Sequence, residues 1–257
     1  MEISSRPDEL FAQLYPDVMQ HGSLLDILNY LAQEGGFSLR CDESIFQGRS
    51  AVVRGKHGKS QIYLGAKERV FSFDFWQKGV QLAKGFTDSP QKMMLALHEL
   101  LEKGTSPLAL GQDFSFVKPD EKAASYYGGA ALQVQEQWDR LQQWTQDEKE
   151  EDFIKRLASI VNLARQHPQL GQLFPFIGMG MLYFSRCTGY PFEVPCSRIG
   201  PIPDRDKCSA QRFVVASGTY GPQCERFEGT ATEVLEFVAA QLPPACGPAR
   251  QGTAENN

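Results

Sequence analysis

The chain reads as an α+β protein of two antiparallel sheet-plus-helix units joined by a helical segment. Three features predict this: short, turn-punctuated β-rich runs between residues 37 and 85, two amphipathic stretches between 123 and 166, and a second β-rich region that ends in a capped helix. With 257 residues, 42% of them hydrophobic and 22% charged, the chain has apolar material for one large domain or two compact ones, unlike a disordered or fibrous sequence.

The first unit is expected over residues 1–120. After a polar lead, Ser23 opens a helix with Asp26 three residues on, a capping-box arrangement, and Leu24, Leu25, Ile27, Leu28 and Leu31 recur at helical spacing until Gly35 and Gly36. Strands are predicted at Phe37–Arg40, Ser50–Arg54, Gln61–Leu64, Val70–Trp76 and Val80–Lys84, as a meander. In Phe71-Ser-Phe-Asp-Phe-Trp76 alternation puts three phenylalanines on one face and Ser72, Asp74 and Trp76 on the other, so one face is core. Asp88 or Ser89 then caps a helix with Pro90 in its first turn, a stripe of Met93, Met94, Leu97, Leu100 and Leu101, and a stop at Gly104.

Residues 121–170 form the expected helical connector, with helices over Ala123–Trp144 and Asp147–Gln166 ended by Pro168. The acidic run Asp147–Asp152 falls in a first turn, where negative charge suits the helix dipole. The C-terminal unit, 171–246, has β-rich Met179–Cys187, a Pro/Gly/Cys-rich excursion over Pro191–Lys207, strands at Gln211–Ser217 and Gln223–Phe227, and a helix that Thr230 and Glu233 cap. Residues 247–257 read as a flexible tail. Both halves close as strand, Gly/Thr turn and helix, compare Ala83–Pro90 with Phe227–Val234, which leaves an internal pseudo-duplication open.

A net charge of −5 speaks against a protein that neutralises many phosphates, so no nucleic-acid partner is expected. No segment approaches the roughly 18 to 20 apolar residues of a membrane span, and the polar start lacks signal-peptide character, so no membrane partner and a cytoplasmic location are expected. The cysteines at 41, 187, 196, 208, 224 and 246 include no C-x-x-C pair, which disfavours a metal site. In a reducing compartment they are thiols packed as small hydrophobes; in an exported protein, pairing among Cys196, Cys208, Cys224 and Cys246 is the alternative. No Walker loop, G-x-S-x-G elbow, G-x-G-x-x-G fingerprint or EF-hand loop occurs, so no cofactor is expected.

The candidate binding residues are Ser185, Arg186, Cys187 and Tyr190, on the polar tip of the aromatic stretch Phe174–Phe192, together with Asp74 and Trp76 on the second face of the first meander. Arg186 is adjacent to Cys187, yet neighbours on a strand point to opposite faces, and a cysteine nucleophile also needs a histidine base. The bland reading is a buried strand whose Arg186 pairs with a carboxylate. His98-Glu99 lacks the second histidine of a zinc motif and reads as a half-buried structural histidine. Arg49, Arg54, Lys56, His57 and Lys59 gather at a hairpin turn and read as a solvated tip.

Leu173-Phe-Pro-Phe176, Phe184-Ser-Arg-Cys-Thr-Gly-Tyr-Pro-Phe192 and Gly247–Ala254 resemble an uncharacterised bacterial family, domain of unknown function 6193; Leu14-Tyr-Pro-Asp-Val18, Gly22-Ser-Leu24 and Gly79–Gly85 are similar to its pattern as well. The excursion between Pro195 and Cys208 is longer than that pattern. The resemblance implies a setting in natural-product biosynthesis and supplies no catalytic residues. The resulting expectation is an accessory or binding protein that recognises a protein or peptide partner or a small biosynthetic intermediate. The alternatives are an immunity-type protein that neutralises a toxin, which its acidic charge suits, and a tailoring enzyme that uses Arg186 and Cys187.

Overall fold

The computed structural model describes residues 7–43, 48–147, 152–202, 211–217 and 226–255. It divides into two compact units, 1–124 and 125–257. Each contains one antiparallel sheet in which the strands follow sequence order, as the α+β reading requires.

The first unit opens with α1 (Pro7–Leu14), α2 (Pro16–His21) and α3 (Leu24–Glu34). The polar lead thus holds two short helices that its composition did not announce. Ser23 caps α3 by accepting from the Asp26 N–H at 3.1 Å. The meander follows as β1 (Arg40–Glu43), β2 (Ser50–Gly55), β3 (Gly58–Leu64), β4 (Phe71–Gln77) and β5 (Val80–Thr87). The first strand begins at Arg40 where the sequence suggested Phe37. After Ser89, whose Oγ accepts from the Lys92 N–H at 3.2 Å, come α4 (Pro90–His98) and a π-helical turn over Glu99–Lys103. α5 (Pro107–Asp113) then leads to β6 (Val117–Pro119), which completes the six-stranded sheet beside β5. Phe71, Phe73 and Phe75 are buried with Ile27, Leu28 and Leu97, so the predicted face is the core face. The basic hairpin tip is not simply solvated: the His57 N–H donates to the Leu101 carbonyl at 2.8 Å, and a Cβ on Gly55 would lie 2.6 Å from that oxygen. The tip therefore rests on the end of the π turn, and a glycine is needed for the approach.

Tyr15 ties the leading helices to this sheet. Its hydroxyl lies 2.9–3.1 Å from the carbonyls of Gly65, Glu68 and Val70 and accepts from the Val70 N–H. Next to it, Arg69 grips both carboxylate oxygens of Asp17 at 2.8 Å and donates to the Leu14 carbonyl at 2.9 Å.

α6 (Ala123–Gly128) carries the chain across the division into α7 (Ala130–Gln146), α8 (Asp152–Lys155) and α9 (Ala158–Gln166), followed by a 3-10 turn at Leu170–Gln172. These helices are not a free-standing connector. Trp138 of α7 and Leu157, Ile160 and Val161 are buried in one cluster with Phe184 and Phe213 of the second sheet, so they supply that sheet's helical layer. Residues 148–151, the centre of the acidic run, lie outside the described residues.

The second sheet is β7 (Phe174–Gly178), β8 (Met181–Ser185), β9 (Arg198–Pro201), β10 (Phe213–Ala216) and β11 (Arg226–Gly229), paired in that order. β8 falls within the expected β-rich run Met179–Cys187, and β7, just before that run, pairs with it as a hairpin whose turn is made by Met179 (φ +50°) and Gly180 (φ +72°). Residues 203–210 and 218–225 lie outside the described residues, and with them Cys208, Cys224 and the start of the strand expected from Gln223. α10 (Ala231–Ala240) follows β11 with the predicted capping box: the Glu233 N–H reaches Thr230 Oγ1 at 3.4 Å and the Thr230 N–H reaches Glu233 Oε2 at 2.8 Å.

Residues 247–255, expected as a flexible tail, are instead built into the second unit. Ala249 donates to the Gln172 carbonyl at 3.0 Å, Gly189 to the Gly252 carbonyl at 2.7 Å, and Ala254 to the Pro191 carbonyl at 2.9 Å, while Thr253 is buried. Composition suggested disorder because the segment is small and polar; backbone pairing to the loop after β8 gives it order that no side-chain pattern reveals.

Asp17 provides a pH test. The hydrogen bonds and charge of Arg69 hold its carboxyl below the usual range. Its stabilising effect is therefore complete above the unfolded value of about 3.9 and is lost as pH falls through the lower folded-state value. Asp17→Asn is expected to destabilise by about 1 kcal/mol near neutral pH. In urea denaturation the gap between the two proteins should close under acid conditions; a gap independent of pH would refute the linkage.

Candidate functional site

β8 delivers the candidate residues to the start of a loop. Core residues Leu182 and Phe184 alternate with Met181, Tyr183 and Ser185, and the strand ends at Ser185 because that side chain bonds to the backbone ahead of it. Ser185 Oγ accepts from the Cys187 N–H at 3.0 Å and donates to the Cys187 carbonyl at 2.7 Å, which turns the chain out of the ladder.

Cys187 is fully buried. Its sulfur accepts from the Glu193 N–H at 3.2 Å and lies 3.5 Å from the Gly189 carbonyl and 3.7 Å from that of Pro191, both of which can receive the thiol hydrogen. The thiol is thus the hub of the Thr188–Phe192 turn, which contains a cis Tyr190–Pro191 bond. A nucleophile must reach its substrate, and this sulfur has no exposed surface. Arg186 does not meet the Cys187 sulfur, as the opposite directions of strand neighbours imply, and turns to Glu193.

Glu193 is the residue that sequence reasoning missed. One of its oxygens accepts from Arg186 at 3.1 Å and the other from Arg250 at 2.7 Å. Arg186 therefore does pair with a carboxylate, as the bland reading held, and that carboxylate is shared with residues 247–255, the C-terminal strap. One backbone bond joins the same two arginines, Arg250 N–H to the Arg186 carbonyl at 2.8 Å, the Arg250 carbonyl accepts from the Thr188 N–H at 3.1 Å, and Arg250 bridges Cys187 in parallel register. The signal that could have found Glu193 is weak: an acidic residue seven positions after Arg186, on the far side of a Gly-Tyr-Pro turn.

α7, α9 and α10 pack on the face of the second sheet that carries Leu182, Phe184, Phe213 and Val215. Strand alternation turns Phe176 and Tyr183 to the opposite face, where they are register partners. Their rings stack 4.8 Å apart with a 10° interplanar angle, and Phe192 stacks on Phe176 at 4.4 Å. Phe174 extends the row at 5.7 Å from Phe192, and Tyr190 meets Phe192 edge-on at 5.9 Å. The interior rings are half-buried, but Tyr190 is 70% exposed and Met179, at the hairpin tip, 87% exposed. The result is an aromatic shelf bordered by the Arg186–Glu193–Arg250 cluster.

Asp74 and Trp76 belong to the first unit. Asp74 lies opposite Lys84 in register, and its carboxylate accepts from the Gln61 N–H at 2.8 Å, a structural role in the β3–β4 ladder. The Trp76 Nε1 and the neighbouring Gln81 Nε2 are buried without a hydrogen-bond partner among the described residues. His98 is half-buried, stacked on Phe37 at 4.3 Å with Nδ1 2.5 Å from Glu102 Oε2. Among the described residues no three His, Cys, Asp or Glu side chains gather as a metal site, and no helix is long and apolar enough to cross a membrane.

Residues 132–253 match the model of DUF6193, a family of unknown function, which is the family that the Leu173–Phe192 and Gly247–Ala254 motifs resemble. The matched span runs from α7 through the strap, and so includes Cys187, Glu193 and Arg250 together. The similar N-terminal segments, Leu14–Val18, Gly22–Leu24 and Gly79–Gly85, lie outside it. No curated protein and no solved structure matches the chain.

The buried thiol makes two expectations. Native protein treated with iodoacetamide near neutral pH should leave Cys187 unmodified, whereas prior unfolding should expose it to complete alkylation, read by peptide mass spectrometry. Cys187→Ala removes the acceptor of the Glu193 N–H and should cost about 1–3 kcal/mol in chemical denaturation. Rapid native alkylation of Cys187 would contradict the geometry.

Proposed function

We propose that this chain is a non-catalytic recognition protein whose second unit holds an extended segment of a peptide or partner protein on the aromatic shelf. Its setting, in this reading, is that of an accessory protein of bacterial natural-product biosynthesis in the cytoplasm. The observation that carries the proposal is the row of stacked rings on the sheet face opposite the helices, ending in a tyrosine that is 70% exposed.

Aromatic rings offer large contact area with few torsions to freeze, which is why they serve as anchors in recognition surfaces. Phe176, Tyr183 and Phe192 already stack on one another, so little ordering remains to be done on binding. At the border, two guanidinium groups share one carboxylate, so charged groups lie beside the apolar contacts of a bound segment. A nucleophilic role for Cys187 finds no support in a thiol that is fully buried and hydrogen-bonded on several sides.

A random-peptide display selection against the whole protein tests this. Enriched peptides should be rich in apolar or aromatic residues, and their affinity should fall about tenfold or more for Tyr190→Ala, an exposed position whose loss is expected to leave the melting temperature unchanged. Absence of enrichment, or peptides that bind wild type and variant equally, would overturn the reading.

A further inference from the structure

We infer that the open face of the first sheet is a docking surface for single-stranded nucleic acid, whose bases stack on Tyr63 and Phe86 and whose phosphates meet the lysines beside them. The inference concerns the first unit alone and does not depend on what the aromatic shelf binds.

Strand register builds this face row by row. Phe71, Phe73 and Phe75 turn to the core, so alternation sends Ser72, Asp74 and Trp76 the other way, together with their register partners on neighbouring strands. Ser72 lies opposite Tyr63 of β3 and opposite Phe86 of β5, and both rings are exposed, at 40% and 53%. Two strand spacings, about 10 Å, separate them, with only a serine between. One row along, Asp74, Lys84 and Lys118 are partners across β4, β5 and β6. The next row runs through Arg40, Arg54, Lys59 and Trp76 across β1 to β4.

Positive charge on these rows is not compensated. Like charges directly opposite one another in a sheet cost stability, yet Arg40 faces Arg54, Arg54 faces Lys59 and Lys84 faces Lys118. Asp42 offsets the first pair, accepting from the Arg40 Nε at 3.0 Å and the Arg54 Nε at 2.9 Å. Lys59, Lys84 and Lys118 are exposed and form no ion pair among the described residues, while the Asp74 carboxylate is engaged by the Gln61 N–H. A chain with a net charge of −5 therefore gathers unpaired cations on one open face. The net charge speaks against phosphate binding by the chain as a whole, but a ligand meets the local field.

The arrangement selects the occupant. Exposed rings stack bases of any identity, because every base has a π face, and lysine ammonium groups meet phosphates as point charges. An acidic peptide would satisfy the lysines and leave the rings without planar partners, and a duplex keeps its bases stacked inside. A single strand uses both: bases on the Tyr63–Phe86 row, phosphates along Lys84 and Lys118 on one side of it, with Lys59 a row further on.

The test is fluorescence anisotropy of the full chain with labelled oligo-dT and oligo-rU, beside a labelled duplex and polyglutamate. The single strands should bind with Kd of about 1 to 100 μM at low salt and weaken as salt rises. Combined Lys59→Ala, Lys84→Ala and Lys118→Ala should weaken binding about tenfold or more and flatten the plot of log affinity against log salt by about 2 in slope. Tyr63→Ala and Phe86→Ala should each cost at least about fivefold and leave that slope unchanged. All five positions are exposed, and circular dichroism checks that the variants are folded. Preference for oligo-rU or for oligo-dT supports the inference either way and assigns the strand as RNA or DNA. Failure of both single strands to bind at about 100 μM protein in low salt, equal binding of the duplex, tighter binding of polyglutamate, or variants that bind like wild type would each overturn it.

Discussion

The carboxylate of Glu193 sits between the guanidinium groups of Arg186 and Arg250, at 3.1 and 2.7 Å, and the architecture around the candidate site depends on that bridge. Arg186 comes from the end of β8, Glu193 from beyond the cis-proline turn, and Arg250 from the strap, so one carboxylate joins the two sides of the turn to a segment 57 residues further on. Charge-assisted bonds of this kind fix direction as well as distance, because a planar guanidinium presents its donors in a set geometry. Partial exposure of all three side chains keeps the energetic contribution modest. Its role is to set the register in which the strap's backbone meets the loop.

Beneath that bridge the Cys187 sulfur and the Ser185 hydroxyl satisfy backbone groups that leave the ladder after β8. A chain that exits a sheet inside a protein must find partners for its N–H and C=O groups, and here side chains and the strap provide them. Once the turn is fixed, Phe192 lies over Phe176 and the aromatic row is complete. Shelf, turn and strap are consequently one construction. The 132–253 match to DUF6193 encloses all of it except the last two residues of the strap.

Both units begin with helices, continue into an antiparallel meander and then a helix capped by a Ser or Thr, after which the first unit adds α5 and the sixth strand of its sheet. Several of these elements were legible in the residues. Helical spacing and a capping serine marked α3, the alternating phenylalanines marked β4 and its buried face, and the Thr230/Glu233 box marked α10. Other elements left no such trace. α1 and α2 are too short for periodicity to register, β6 has three residues, and β7 merges with β8 into one apolar run whose hairpin turn, Met179-Gly180, lacks the usual Asn-Gly or Asp-Gly signature. Of the site, Ser185, Arg186, Cys187 and Tyr190 were visible as an unusual polar tip, while Glu193 and Arg250 were not.

By itself the sequence determined the α+β class, the identity of the buried faces and the positions of the capped helices, since those follow from side-chain periodicity and local capping chemistry over a few residues. Only the tertiary structure decided that the helices of the presumed connector cover the second sheet, that residues 247–255 are a strap and not a tail, and that Cys187 is an interior hydrogen-bonding hub. Those outcomes rest on backbone pairing and on a carboxylate shared by residues separated by up to 64 positions (250 − 186). Contacts at that separation leave no period in a single chain, so geometry alone discloses them.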